Sequence, residues 1–148
     1  MAAITGYFCK LYRNTGTYGS PTWVEVLPTR DVKSNCVMNE IDASVRGGNG
    51  WQQNVPGLKN LTLEFNLLWD STDASLTAIS DAYFANPPTT IEFLALSGPI
   101  GTAGNKGIRA VCYVTNFSRN EGLEEAVTVD VTAKPAAGVN APSVFTST

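Results

Sequence analysis

Residues 58–69 constrain the fold more than any other stretch of this chain. Leu61, Leu63, Phe65 and Leu67 fall on every second position, with Thr62, Glu64 and Asn66 between them. A period of two places alternate side chains on opposite faces of an extended chain. The segment therefore predicts a strand with one buried and one wet face, and a sheet with at least one solvated side. The same alternation returns at Ile108, Ala110, Cys112 and Val114, and again at Val127, Val129, Val131 and Ala133 against Thr128, Asp130 and Thr132. Residues 91–96 read as a shorter strand buried on both faces. Residues 7–12, 23–27, 31–38 and 40–46 add further strands, separated by Asn14-Thr15-Gly16, Gly19-Ser20-Pro21 and Pro28. Arg119-Asn120-Glu121-Gly122 predicts the hairpin turn before the last strand, with Gly122 free to take positive φ.

One helix interrupts the strands. Asp70, Ser71, Thr72 and Asp73 offer N-caps, Leu76, Ile79 and Tyr83 make one apolar stripe, and Pro87-Pro88 ends the run. The reading is a mainly β domain, an antiparallel β-barrel or sandwich with one packed α-helix, over residues 1–134. Residues 135–148 are small and polar and read as a flexible C-terminal arm, in which Val144-Phe145 favours ordering on a partner.

Composition removes whole classes of function. The 148 residues include no histidine, which eliminates His-based triads, His general bases and His metal sites. Cys9, Cys36 and Cys112 are far apart, odd in number, and make neither a disulfide framework nor a metal knuckle. Glu40 with Asp42 and Glu124 with Glu125 are the nearest approach to carboxylate pairs. Strand alternation separates the second pair, and no further cluster completes either. Asn60-Leu61-Thr62 and Asn116-Phe117-Ser118 match the glycosylation pattern but fall inside strands, and read as chance. Gly98, Gly101, Gly104 and Gly107 lack the spacing and following helix of a phosphate loop and read as a mobile hairpin loop. No catalytic, cofactor-binding or metal-binding residue is expected.

The net charge is −3, and neither half of the chain carries the clustered Lys and Arg that grip nucleic acid by its phosphates. Any DNA this protein meets should slide past. The first residues show no basic region followed by an apolar core, and no stretch approaches the ~20 apolar residues of a membrane helix. Synthesis in the cytoplasm and no membrane partner are the expectations. Charged residues make up 16% of the chain, below the ~25% of an ordinary soluble domain, a first sign of self-association. Arg46-Gly47-Gly48-Asn49-Gly50-Trp51 is a glycine-hinged loop. Its Trp is either tucked under the core or offered to a neighbour, and Trp and Arg dominate interface hot spots.

The order of several short runs resembles the major tail tube proteins of bacteriophages with long non-contractile tails. The runs are Asp31-Val32, Glu40-Ile41-Asp42-Ala43-Ser44-Val45-Arg46, Gly50-Trp51 and Pro56-Gly57-Leu58-Lys59. The Asp-capped helix, Thr90-Ile91-Glu92, Phe117-Ser118-Arg119-Asn120-Glu121 and Leu123-Glu124-Glu125-Ala126-Val127 follow. The resemblance spans about residues 7–134, and it extends to the tubes of contractile tails and type VI secretion. It implies a non-enzymatic structural protein of the virion tail, assembled in the host bacterial cytoplasm. It also implies self-association into stacked hexameric rings around a tape-measure protein, contacts with tail-end proteins, and a lumen that conducts DNA without specific binding. On that basis Arg46, Gly47, Gly48, Asn49, Gly50 and Trp51 are candidates for ring stacking, and Glu64, Asn66 and Asp130 for the lumen. The alternative from the residues alone is a monomeric β-sandwich that binds carbohydrate on Tyr7, Tyr12, Tyr18 and Trp23.

Overall fold

A computed structural model describes residues 3–138 and 140–148; Met1 and Ala2, at the N-terminus read above, and Val139, in the arm, lie outside the described residues. Eight strands form one antiparallel sheet: β1 (Lys10–Asn14), β2 (Trp23–Glu25), β3 (Thr29–Asp42), β4 (Asn54–Leu68), β5 (Ile91–Leu96), β6 (Lys106–Asn120), β7 (Thr128–Pro135) and β8 (Ser143–Thr146). The spatial order is β2-β1-β5-β6-β7-β4-β3, with β8 on β6. The two outermost strands, β2 and β3, are consecutive in sequence, so the sheet must curl until its edges approach. Leu11 O accepts from Val26 N–H at 2.8 Å on one side of that seam, and Pro28 O accepts from Leu68 N–H at 3.0 Å on the other. Among the described residues no ladder closes it. A groove of about 860 Å³, lined in part by Lys10, Glu25, Val26, Arg30 and Ser34, runs between the edges, and the architecture is an open, sandwich-like sheet.

The alternating residues face inward as their period requires. Leu61, Leu63, Phe65 and Leu67 of β4 pack with Val129, Val131 and Ala133 of β7 and with Ala110, Cys112 and Val114 of β6. Phe65 and Phe93 meet edge-to-face with centroids 5.1 Å apart. The helix α1 (Ala74–Phe84) closes this core with Leu76, Ile79 and Ala82. Asp73 caps it, its carboxylate accepting from Leu76 N–H at 2.9 Å. Tyr83, expected on the buried stripe, stays half-exposed, because Ala82 takes the position nearest the sheet. The strand β5 is buried on both faces: Leu94 and Leu96 form a second small core with Tyr12, backed by Trp23, Ile100 and Phe145.

Four expectations change in detail. The first strand starts at Lys10, because Gly6–Phe8 turns as a single 3-10 turn. The two strands read from 31–38 and 40–46 are one strand, β3, with a register irregularity between Met38 and Glu40. That break produces the apparent boundary in the sequence. Gly122 does not take positive φ; β6 runs on to Asn120, and the connection to β7 is a longer turn closed by Glu125 N–H to Gly122 O at 3.3 Å. Within 135–148, β8 pairs with β6 from Lys106↔Thr146 to Arg109↔Ser143, so this part of the arm lies on the sheet.

Candidate assembly surfaces

The most unusual feature follows from strand lengths. The strand β4 pairs with β7 only from Leu63↔Ala133 to Leu68↔Thr128, while β3 and β4 stay paired as far as Asp42↔Asn54. For nine residues beyond the sheet, about 30 Å at ~3.3 Å per residue, the two strands stand alone as a ribbon. An isolated two-stranded ribbon is marginal in water. This one nevertheless exposes Val37, Met38, Ile41, Val55 and Leu58, the last 81% accessible. On its far side β3 has no partner strand among the described residues, leaving a 14-residue edge of backbone donors and acceptors.

The ribbon ends in the Arg46–Trp51 loop, which is less limp than its glycines suggest. Arg46–Gly48 makes a 3-10 turn, and Asn49 (φ 54°) and Gly50 (φ 80°) then reverse the chain through the left-handed region that these residue types tolerate. Gly48 O accepts from Trp51 N–H at 3.1 Å, and Ser44 Oγ accepts from Gln53 N–H at 2.9 Å. Asp42 accepts from Ser44, which holds its carboxyl below the usual range. Trp51 is 78% exposed. Of the two fates open to it, the chain adopts the outward one.

The wet face brings two of its three candidates together. Asn66 lies opposite Asp130 and donates to it through Nδ2, and Asn120 Nδ2 reaches the other oxygen of Asp130 at 2.9 Å. Glu64 sits apart, opposite Lys33 of β3 and Thr132 of β7. This face is polar and mixed in sign. Lys33 and Lys134 offset the two carboxylates, so it is not the acidic wall that the net charge alone suggests.

At the opposite end of β4, α1 finishes in Tyr83 and Phe84, which surround Phe117 with ring centroids 6.3 and 6.0 Å from it. Arg119 lies 4.3 Å over the Trp69 ring, and Leu123 projects fully into solvent. Sequence reasoning missed this patch. Its signal was the adjacent Tyr83-Phe84 pair: consecutive helix residues cannot both face one core.

A buried polar cluster was missed as well. Glu92 is 6% exposed and accepts from Arg109 Nε at 2.8 Å, Arg109 Nη2 at 3.3 Å and Asn14 Nδ2 at 2.6 Å. The Arg109 guanidinium stacks 3.8 Å from the Tyr18 ring centroid and 5.2 Å from that of Trp23. This cluster clamps the 15–22 loop to the sheet. It also dismantles the aromatic platform of the carbohydrate-binding alternative: Tyr12 is buried, Tyr18 and Trp23 are covered by Arg109, and only Tyr7 is free. Cys112, in the core near Glu92, has its thiol pushed up to about 12, by burial first and then by that carboxylate. Among the described residues no three His, Cys, Asp or Glu side chains gather as a metal site, and no helix is long and apolar enough to cross a membrane.

The sequence matches no protein-family model and no curated protein sequence. The fold does match solved structures. The tail of an empty gene transfer agent (GTA) particle, obtained by helical refinement with C6 symmetry, superposes with a TM-score of 0.73 at 13% identity, covering 97% of this chain and 99% of that one. The SPP1 tail tube gives 0.67 at 16% identity over 89% of this chain and 75% of that one. The sheath-tube complex of an extracellular contractile injection system, PVC, gives 0.68 at 9% identity over 97% and 92%. The open antiparallel sheet with its single helix is the fold that these tail tube structures share.

Proposed function

We propose that this chain is a structural, non-enzymatic subunit of a tail tube, of a phage or a prophage-derived particle, located in the virion tail after assembly in the host cytoplasm. Copies close into hexameric rings, and the rings stack around a tape-measure protein and meet tail-end proteins at the tube's ends. The observation that carries this reading is the 30 Å apolar ribbon beside a free 14-residue strand edge, inside a fold otherwise shared with tube proteins. A head-to-tail contact that closes gives a ring, and one that does not gives a filament. The ribbon tip, from Arg46 to Trp51, stacks one ring on the next, and residues 135–148 act as an arm beside the 1–134 body. The face carrying Glu64, Asn66 and Asp130 lines the lumen. Its mixture of signs provides no run of cations to hold phosphates, so DNA passes without specific binding.

Negative-stain microscopy of concentrated protein tests this. Rings or tubes are expected, and Trp51→Ala should shorten or abolish tubes without lowering the melting temperature. Compact monomers at every concentration, with or without an assembly initiator, would refute the reading. The likeness to the PVC tube favours a second version, the inner tube of a contractile machine. A sheath gene beside this one would select it.

A further inference from the structure

The two apolar surfaces lie at opposite ends of one strand. The turn joining β6 to β7 sits beside Leu68, because Asn120 and Leu68 both pair with Thr128. The ribbon tip follows Asp42, opposite Asn54. Fourteen residue steps of β4, from Asn54 to Leu68, separate them, about 46 Å at ~3.3 Å per residue. The ends also differ in charge. Between residues 43 and 53 the only charge is Arg46, while residues 121–127 carry Glu121, Glu124 and Glu125. Glu121 pairs with Arg119 at 3.0 Å, whereas Glu124 and Glu125 have no ion-pair partner among the described residues. One end offers a cation beside an exposed Trp51. The other offers two carboxylates without an ion-pair partner among the described residues, around a fully exposed Leu123.

Resting on the tube reading, we infer that the receptor for the ribbon tip is the 121–125 turn on a second copy of this chain. Trp51 covers Leu123, and Arg46 faces Glu124 and Glu125. The two surfaces differ and point in opposite directions, so the contact is heterologous and repeats without closing, which extends an assembly along β4. A tip-to-tip pairing would set Arg46 against Arg46, and a turn-to-turn pairing would gather four unpaired carboxylates. Both are disfavoured by like-charge repulsion.

Single cysteines test the contact in a background where the exposed Cys9 and Cys36 are serine and the buried Cys112 is kept. Gln52→Cys, which keeps Trp51 and is exposed beside it, and Leu123→Cys variants, one carrying a size tag, are concentrated and oxidised alone and as a mixture. The inference expects hetero-dimers from the mixture and none above background from either variant alone. Dimers from Gln52→Cys alone would overturn it in favour of tip-to-tip pairing. Charge reversal gives an independent reading by light scattering. Arg46→Glu, and separately Glu124→Lys with Glu125→Lys, should each raise the concentration needed for association by about tenfold or more. The three changes together should restore it to within about threefold. Melting curves identify any variant that misfolds, and Trp51→Phe should assemble normally. A wild-type chain that stays monomeric defeats the tube reading and this contact together. Tubes that form while the mixed cysteines remain unlinked, or that ignore both reversals, defeat the contact alone.

Discussion

Replacing Glu92 with Ala removes the acceptor for three hydrogen bonds and the only carboxylate paired with Arg109 among the described ion pairs. The Arg109 side chain is 12% exposed and cannot deprotonate, so its charge stays inside, left with the Tyr18 carbonyl and two aromatic faces. Breaking a buried pair from one side costs about 3–5 kcal/mol. At about 2–4 °C per kcal/mol for a chain near 150 residues, the melting temperature should fall by roughly 6–20 °C. Urea denaturation of dilute, unassembled protein measures the loss directly. Glu25→Ala is the internal control, since its pair with Lys10 at 3.3 Å is about one-third exposed on each side and is worth about 1 kcal/mol at most. Glu92→Leu combined with Arg109→Met should recover much of the loss, because burying neither charge removes the desolvation cost. If Glu92→Ala costs no more than Glu25→Ala, the cluster is not the clamp described here.

Three further outcomes are expected. Cys112 has a folded pKa of about 12 against 9.0 unfolded, so the native state holds the proton more tightly: its contribution is complete below pH 9 and lost as pH climbs toward 12, and the difference in stability between wild type and Cys112→Ala should shrink over that window. A Cβ on Gly107 would lie 1.8 Å from the Ala95 carbonyl, so Gly107→Ala should destabilise by about 3 kcal/mol, while Gly101→Ala, with open space around it, should be neutral or gain up to about 1 kcal/mol in thermal unfolding. In hydrogen exchange, amides of residues 35–42 and 54–62 should exchange far faster than those of 63–67 in the monomer and become protected on assembly; equal protection in the monomer would mean the ribbon needs no neighbour.

The core was legible because its code is short-range. The inward residues of β4, β6 and β7 announce themselves by alternation, and Asp73 and Pro87 bracket the helix chemically. What periodicity cannot carry is length relative to a neighbour. Nothing in residues 54–62 distinguishes a strand inside a sheet from one that has left it; that follows from where β7 ends, at Pro135. The same limit hid the Glu92 cluster, whose members come from three parts of the chain: Asn14 with Tyr18, Glu92, and Arg109. Trp51 was singled out by residue type, but its exposure depended on the ribbon. The receptor inferred for it could not be read because Leu123 looks like an ordinary apolar residue until the fold leaves it uncovered.

The division between core and ribbon lets one chain be both a stable subunit and an incomplete one. Every residue of the main core lies between Leu11 and Ala133 without using the ribbon's outer half, so folding does not wait for a neighbour. An uncovered ribbon would be an aggregation hazard if it paired indiscriminately, and natural edges are guarded by charges, prolines and irregularities. This one carries all three: Glu40, Asp42 and Lys59 along it, Pro56 opposite Glu40, and the break in register between Met38 and Glu40. These features admit a partner of matching twist and charge and discourage random strand addition. On the proposed tube reading, a subunit that stays dispersed and then polymerises in one direction needs that combination, and the low overall charge fits it, since surfaces reserved for neighbours cannot also be covered in ions.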